Sequence, residues 1–206
     1  MLRRSFVQIP AALFAQGPGL PEFYKSVSAA VWVVNDAAAT AAEWQRAGVT
    51  LGGRMRMELA DATWRGKPKP TAMTVQSGNF GSTIVHWVQP EGTDNAFAEF
   101  LEANRGPGVM SLLFGPPTLE AYQAELARLK AISPTVIEAS FPVGPDMSVR
   151  FANFDTRKDG LYSLGLVYPA DQLSGEIRPD RRITQFAWVT RSPEKVSSYW
   201  EKFGLP

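Results

Sequence analysis

Two apolar patterns alternate along the chain. Runs of about four to eight apolar residues bounded by Gly, Pro or Asn read as strands, and stretches with apolar residues every three or four positions read as amphipathic helices. The first pairing is Ser28–Val34 (SAAVWVV), a strand, then Asp36 as a helix N-cap and a helix over Ala37–Ala47 stopped by Gly48. The order returns at Leu112–Phe114, where Pro116 and Pro117 lead to Thr118 as N-cap and to the helix LEAYQAELARLKA. It returns again at Gln185–Thr190, with Ser192 as N-cap, Pro193 at the first helical position and EKVSSYWEKF closed by Gly204. First and third copies superimpose without a gap, placing Trp32 on Trp188, Val33 on Val189, Trp44 on Trp200 and Gly48 on Gly204.

Between the helices lie strand candidates at 53–58, 71–76 and 82–89 in the first copy, and at 135–140, 147–153 and 161–168 in the second. A period of roughly 80 residues is too long for a solenoid and suits a βαβββ module. The predicted fold class is α+β: two such modules pair their curved sheets into an open cup, since neither sheet buries its concave face alone, with helices packed outside through Trp44, Leu126 and Leu129. Two unrelated α+β halves are the competing arrangement. The expected organisation is an N-terminal segment and linker over 1–27, module one over 28–106, module two over 107–171, and a linker with the start of a third module over 172–206. A half-module leaves a sheet edge and an apolar helix face uncovered. Gln185–Pro206 is therefore expected to dock on the first pair, to exchange between subunits of a homodimer, or to continue into further modules of a longer chain.

Composition narrows the function classes. With 206 residues, 45% apolar and 20% charged, the chain is an ordinary globular sequence. Twenty-one basic and 20 acidic residues, with no long basic run, give nothing for nucleic acid to bind. No stretch approaches the ~20 apolar residues that span a membrane. Without cysteine there is no disulfide, thiolate metal site or cysteine nucleophile. Arg3 and Arg4, followed by Ser5, Phe6, Val7 and a mildly apolar stretch to Ala15, resemble a twin-arginine export signal. A frayed basic terminus on a cytoplasmic protein is the other reading.

The stretch 82–114 joins the two modules. Ile84, Val85, Trp87 and Val88 surround the only histidine, His86, in a strand apolar on both faces and ended by Pro90. Phe97, Phe100 and Leu101 fall at helical spacing, and Gly106, Pro107 and Gly108 turn the chain before Val109 opens the next strand. This junction resembles that between the paired modules of the vicinal oxygen chelate superfamily, which includes glyoxalases, bleomycin-resistance proteins, extradiol dioxygenases and methylmalonyl-CoA epimerases.

In that superfamily the cup usually holds a divalent metal through ligands on the first and fourth strands of each module. The resemblance puts Ala29, His86, Ser111 and Gly165 at those positions, and Gln185 at the first-strand position of the third copy. Alanine and glycine cannot coordinate and one imidazole gives too few bonds, so no metal or other cofactor is expected in this module pair. The resemblance then implies a protein that binds a small organic molecule. A metal-dependent lyase, epimerase or dioxygenase, with its site around His86 or in a further module pair, is the alternative, and a module whose cup serves assembly is another.

Three features are candidates for ligand contact. His86, pointing into the cup with Ile84 and Val88, would act as base or hydrogen-bond donor, or else be a satisfied strand histidine. In Arg54-Met-Arg56-Met-Glu58, strict alternation puts Arg54, Arg56 and Glu58 on one face. Turned inward they could clamp a carboxylate or phosphate, and turned outward they are a solvated sheet face. Gln185 is the third. The segment Trp64–Pro70 reads as a mobile basic loop, and Asp61 and Asp146 carry no assigned role.

Overall fold

A computed structural model describes residues 20–81, 83–145, 147–170 and 183–205, together with the backbone of 5–10. In chain order, β1 (Ser5–Pro10) precedes module one, which contains β2 (Ala29–Val33), α1 (Ala37–Arg46), β3 (Thr50–Leu59), a small hairpin of β4 (Thr63–Trp64) and β5 (Lys67–Pro68), β6 (Thr71–Phe80) and β7 (Thr83–Pro90). Helix α2 (Ala96–Asn104) leads to module two: β8 (Gly108–Phe114), α3 (Leu119–Lys130), β9 (Thr135–Gly144), β10 (Met147–Phe154), the short α4 (Arg157–Gly160) and β11 (Ser163–Tyr168). Strand β12 (Gln185–Thr190) and helix α5 (Pro193–Glu201) follow.

One ten-stranded sheet runs β3-β6-β7-β2-β8-β11-β10-β9-β4-β5. In each module the first and fourth strands are parallel, β2 with β7 and β8 with β11, and the modules join where β2 meets β8 antiparallel. This is the α+β fold of paired βαβββ modules, a curled open sheet with helices outside.

Strand alternation explains how the sheet has two cores. On β7, Val85 and Trp87 face outward to the helices while Ile84 and Val88 face the concave side. The outer core holds Trp44 of α1 against Trp32, Phe80 and Trp87, with ring centroids 5.4–6.3 Å apart, and Leu126 and Leu129 of α3 lie in the same cluster. Gly78 is required here, because a Cβ on it would stand 2.5 Å from Trp87 Cη2. Asp36 and Thr118 cap α1 and α3 as expected, accepting from Ala39 N at 2.9 Å and Ala121 N at 3.1 Å. Ser192 precedes α5 without a side-chain cap bond, and its own N–H donates to Thr190 Oγ1 at 3.2 Å.

The basic stretch 64–70 is not a mobile loop. Arg65 and Gly66, with φ of 52° and 76°, make the two-residue turn of the β4–β5 hairpin. That hairpin belongs to module one by sequence, yet it pairs with β9 of module two, Trp64 opposite Ile137. Arg65 pairs with Glu99 of α2 at 2.5 Å and Asp155 at 3.5 Å, and Lys69 pairs with Asp94. Asp61 joins the same bridge, accepting from Ser140 N at 3.0 Å and Ser140 Oγ at 2.5 Å. Local polarity suggested a solvated loop, whereas strand addition across the modules decides the outcome.

The start of the third copy docks on the outside of module two. Trp200 of α5 stacks on Tyr162, centroids 4.8 Å apart, and donates from Nε1 to Gly160 O at 3.1 Å, while Trp188 stacks on the other face of Tyr162 at 4.9 Å. Strand β12 pairs antiparallel with β1, Ser5 opposite Thr190. The expected linker is partly ordered: Tyr24 is buried and donates to Glu125 Oε1 of α3 at 2.5 Å, and Arg128 holds the same carboxylate while donating to Phe203 O at 3.3 Å. Arg3, Arg4 and the apolar stretch from 11 to Ala15 lie outside the described residues, as do Asp146 and the whole of the 172–182 linker.

Candidate functional site

The concave face encloses a cavity of about 590 Å³. Inward positions of successive strands build it. Strand β6 supplies Met73, Val75, Ser77 and Asn79, and β7 supplies His86 and Val88. From across the cup come Val149, Phe151 and Asn153 of β10 and Phe141 and Val143 of β9, while Phe97 of α2 closes one end. Met55 and Met57 of β3 stand at the rim, Met55 54% exposed. Among the described residues, none that lines the cavity is Asp, Glu, Lys or Arg.

His86 is half-buried, with its ring edge on the cavity. Its cross-strand partner is Ser77, whose Oγ lies 2.8 Å from Nδ1. Burial disfavours the imidazolium and pushes the ring down to about 4, so the side chain is neutral at physiological pH. With Nδ1 engaged by Ser77, Nε2 is the nitrogen left for a ligand: a donor if Ser77 donates to Nδ1, an acceptor if Nδ1–H donates to Ser77.

Of the other candidates named from sequence, none lines the cavity. Arg54, Arg56 and Glu58 take the outward face of β3, with Met55 and Met57 inward, because β3 is a sheet edge whose apolar face is the cup side. Arg56 pairs with Glu91 at 2.9 Å and Glu58 at 3.4 Å on the surface. Gln185 lies exposed on β12, in the two-stranded sheet rather than the ten-stranded one, since the third copy packs outside module two.

The positions that the resemblance assigns to a metal do not fit one. Ala29 and Ser111 are buried, and the fourth-strand position of module two is Gly165. A Cβ at Gly165 would overlap Leu113 Cδ2 and stand 2.5 Å from Asn153 Oδ1, so neighbouring side chains fill the space a ligating residue would need. Among the described residues no group of three or more His, Cys, Asp or Glu stands close enough to hold an ion.

Sequence reasoning missed Ser77 and Asn153. Ser77 was within reach, since the two-residue connection between Phe80 and Thr83 sets it opposite His86. Asn153 ends an inward series with Val149 and Phe151, but its burial depends on module two closing over it. It has no solvent exposure, and among the described residues neither Oδ1 nor Nδ2 has a partner. Ser111 Oγ, on the same side of β8 as Leu113, is likewise buried without a partner.

No protein-family model matches the chain. No curated protein matches it. Among solved structures it is similar to a hypothetical protein from Bacillus halodurans C-125, 11% identical over 69% of this chain and 92% of that one, TM-score 0.47. It is also similar to methylmalonyl-CoA epimerase from Mycobacterium tuberculosis, 15% identical over 69% and 87%, TM-score 0.45. A variant of the Streptomyces coelicolor methylmalonyl-CoA epimerase in complex with 2-nitronate-propionyl-CoA is 18% identical over 72% and 97%, TM-score 0.46. At these identities the likeness concerns the fold alone, and the chemistry of the cup rests on its own residues.

Proposed function

We propose that the protein binds a small, neutral organic molecule in the cup between its two modules. The carrying observation is the cavity of about 590 Å³, walled by methionine, valine and phenylalanine, with its polar groups confined to neutral side chains such as His86, Ser77 and Asn153. Such a site desolvates an apolar body and orients it through a few hydrogen bonds. A charged ligand would enter without a counter-charge, at large desolvation cost.

The neutral fluorophore 6-propionyl-2-dimethylaminonaphthalene tests this reading. Saturable one-to-one binding with a blue-shifted emission is expected, lost on Met57→Trp, which fills the rim from the half-buried edge strand. Absence of saturable binding to the wild-type chain, or equal binding by Met57→Trp, would sink the proposal.

A second reading is proton transfer at His86. The hydrogen bond to Ser77 favours it, since with Nδ1–H donating to Ser77 Oγ the Nε2 lone pair is left to accept a proton, although burial makes the ring a weaker base than free imidazole. Purified protein carrying stoichiometric Fe, Mn, Ni or Zn that is lost on His86→Ala would favour the metal-dependent enzyme over the binding protein.

A further inference from the structure

We propose that Asn153 is the residue that selects the ligand. The molecule the cup takes then carries, on its buried edge, a hydrogen-bond donor beside an acceptor, as in a lactam, an imide or a cis amide. This rests on the cup being a binding site and names what that site reads.

Asn153 lines the cavity at the end of the inward series of β10, and no part of it is exposed, so its carboxamide must turn towards the cavity to meet a ligand. Its carboxamide offers two donors and one acceptor, and among the described residues neither end has a hydrogen-bond partner. A buried amide left unpaired is destabilising, and an apolar residue of the same size would avoid that cost. Its place at the cavity wall points to a partner supplied from outside the chain.

The local packing fixes where that partner must approach. Asn153 pairs across the sheet with Gly165, and its Oδ1 lies where a Cβ on Gly165 would come within 2.5 Å. Only glycine leaves room for the carboxamide to lie against β11, so Gly165 is a positioning residue for Asn153. A neutral group with adjacent donor and acceptor complements a primary amide in two parallel hydrogen bonds. A carboxylate complements only its N–H groups, leaves Oδ1 facing an anion, and finds no cation on the cavity wall.

Three probes of nearly one shape separate these cases: 1(2H)-isoquinolinone with a cis-lactam edge, naphthalene with none, and 1-naphthoate with a charge. Each displaces the naphthalene fluorophore from wild type, Asn153→Leu and Asn153→Ala. In wild type the lactam is expected to bind at least about tenfold tighter than naphthalene, with the carboxylate weakest. Both variants should bring lactam and naphthalene to within about threefold of each other while still binding the fluorophore. Unliganded Asn153→Leu should melt a few degrees higher than wild type, since the unpaired amide is gone.

Equal binding of lactam and naphthalene by wild type, a preference that survives both substitutions, or tightest binding of 1-naphthoate would overturn the assignment while leaving the cup a binding site. Failure of the fluorophore itself to bind wild type removes the cup reading and this inference together. A lower melting temperature in both variants with the probe ranking intact would make Asn153 a structural residue.

Discussion

The two halves of the cup share one plan and have spent the same positions differently. In module one, Val31, Ser77 and His86 stand side by side on β2, β6 and β7. In module two the corresponding trio is Leu113, Asn153 and Gly165, on β8, β10 and β11. The large polar side chain sits on the fourth strand in one half and on the third strand in the other. Where His86 projects, a serine beside it is small and satisfies it. Where Asn153 projects, a glycine beside it makes room. The repeated plan therefore keeps the position of this layer rather than the identity of its members, and the polar group sits on whichever strand its neighbours leave open.

The outer supports of the halves differ as well, and substitutions there should have the largest effect. Trp200→Ala removes a buried ring stacked on Tyr162 and a bond to Gly160 O, and should cost about 3–5 kcal/mol in urea unfolding. Trp44→Ala, half-buried in module one, should cost less, about 2–3 kcal/mol. Equal costs under about 1 kcal/mol at both sites would mean that neither half depends on its aromatic cluster.

Next come the inner positions. Gly165→Ala forces Leu113 or Asn153 aside and should destabilise by about 1–3 kcal/mol, more than His86→Ala, whose ring edge borders open cavity. If the halves were interchangeable the two changes would cost alike.

The pH dependence sharpens the same contrast, because only module one titrates at this layer. His86 falls from an unfolded value near 6.5 to about 4, so between these limits the unfolded chain binds the extra proton. Its contribution to stability is complete above about 6.5 and is lost as pH falls towards about 4, by about 1–3 kcal/mol. Urea midpoints of wild type and His86→Gln at pH 7 and pH 4.5 should converge at the lower pH, and NMR should place the imidazole titration near 4 rather than 6.5. The smallest effect is expected at Arg54→Ala and Arg56→Ala, which should leave fluorophore binding unchanged because both side chains lie outside the cup.

How much of this was legible in the sequence depended on the range of the interactions involved. The repeat of strand, N-cap and helix at Asp36 and Thr118, and the inward alternation of Ile84, His86 and Val88, are local patterns, and both modules and the cup followed from them. The alternation of Arg54, Arg56 and Glu58 was equally plain, but which face of β3 turned inward was settled by Met55 and Met57 facing a cavity that only the folded pair creates. The Trp64–Pro70 stretch looked like a solvated loop because its strand partner lies some 70 residues away on β9. Asn153 could not be distinguished from any strand-end asparagine, since nothing near it in sequence announces that Leu113 and Gly165 will enclose it.

The hairpin that module one lends to the edge of module two also ties the two walls of the cup together. With the two walls tied together near Trp64 and Ile137, swinging one wall away would break strand pairing, so a guest of the kind proposed would pass more readily by rotation of the flexible thioethers of Met55 and Met57. Such a doorway admits many shapes. On the proposed reading, discrimination would then fall to the depths of the vessel, to the amide of Asn153.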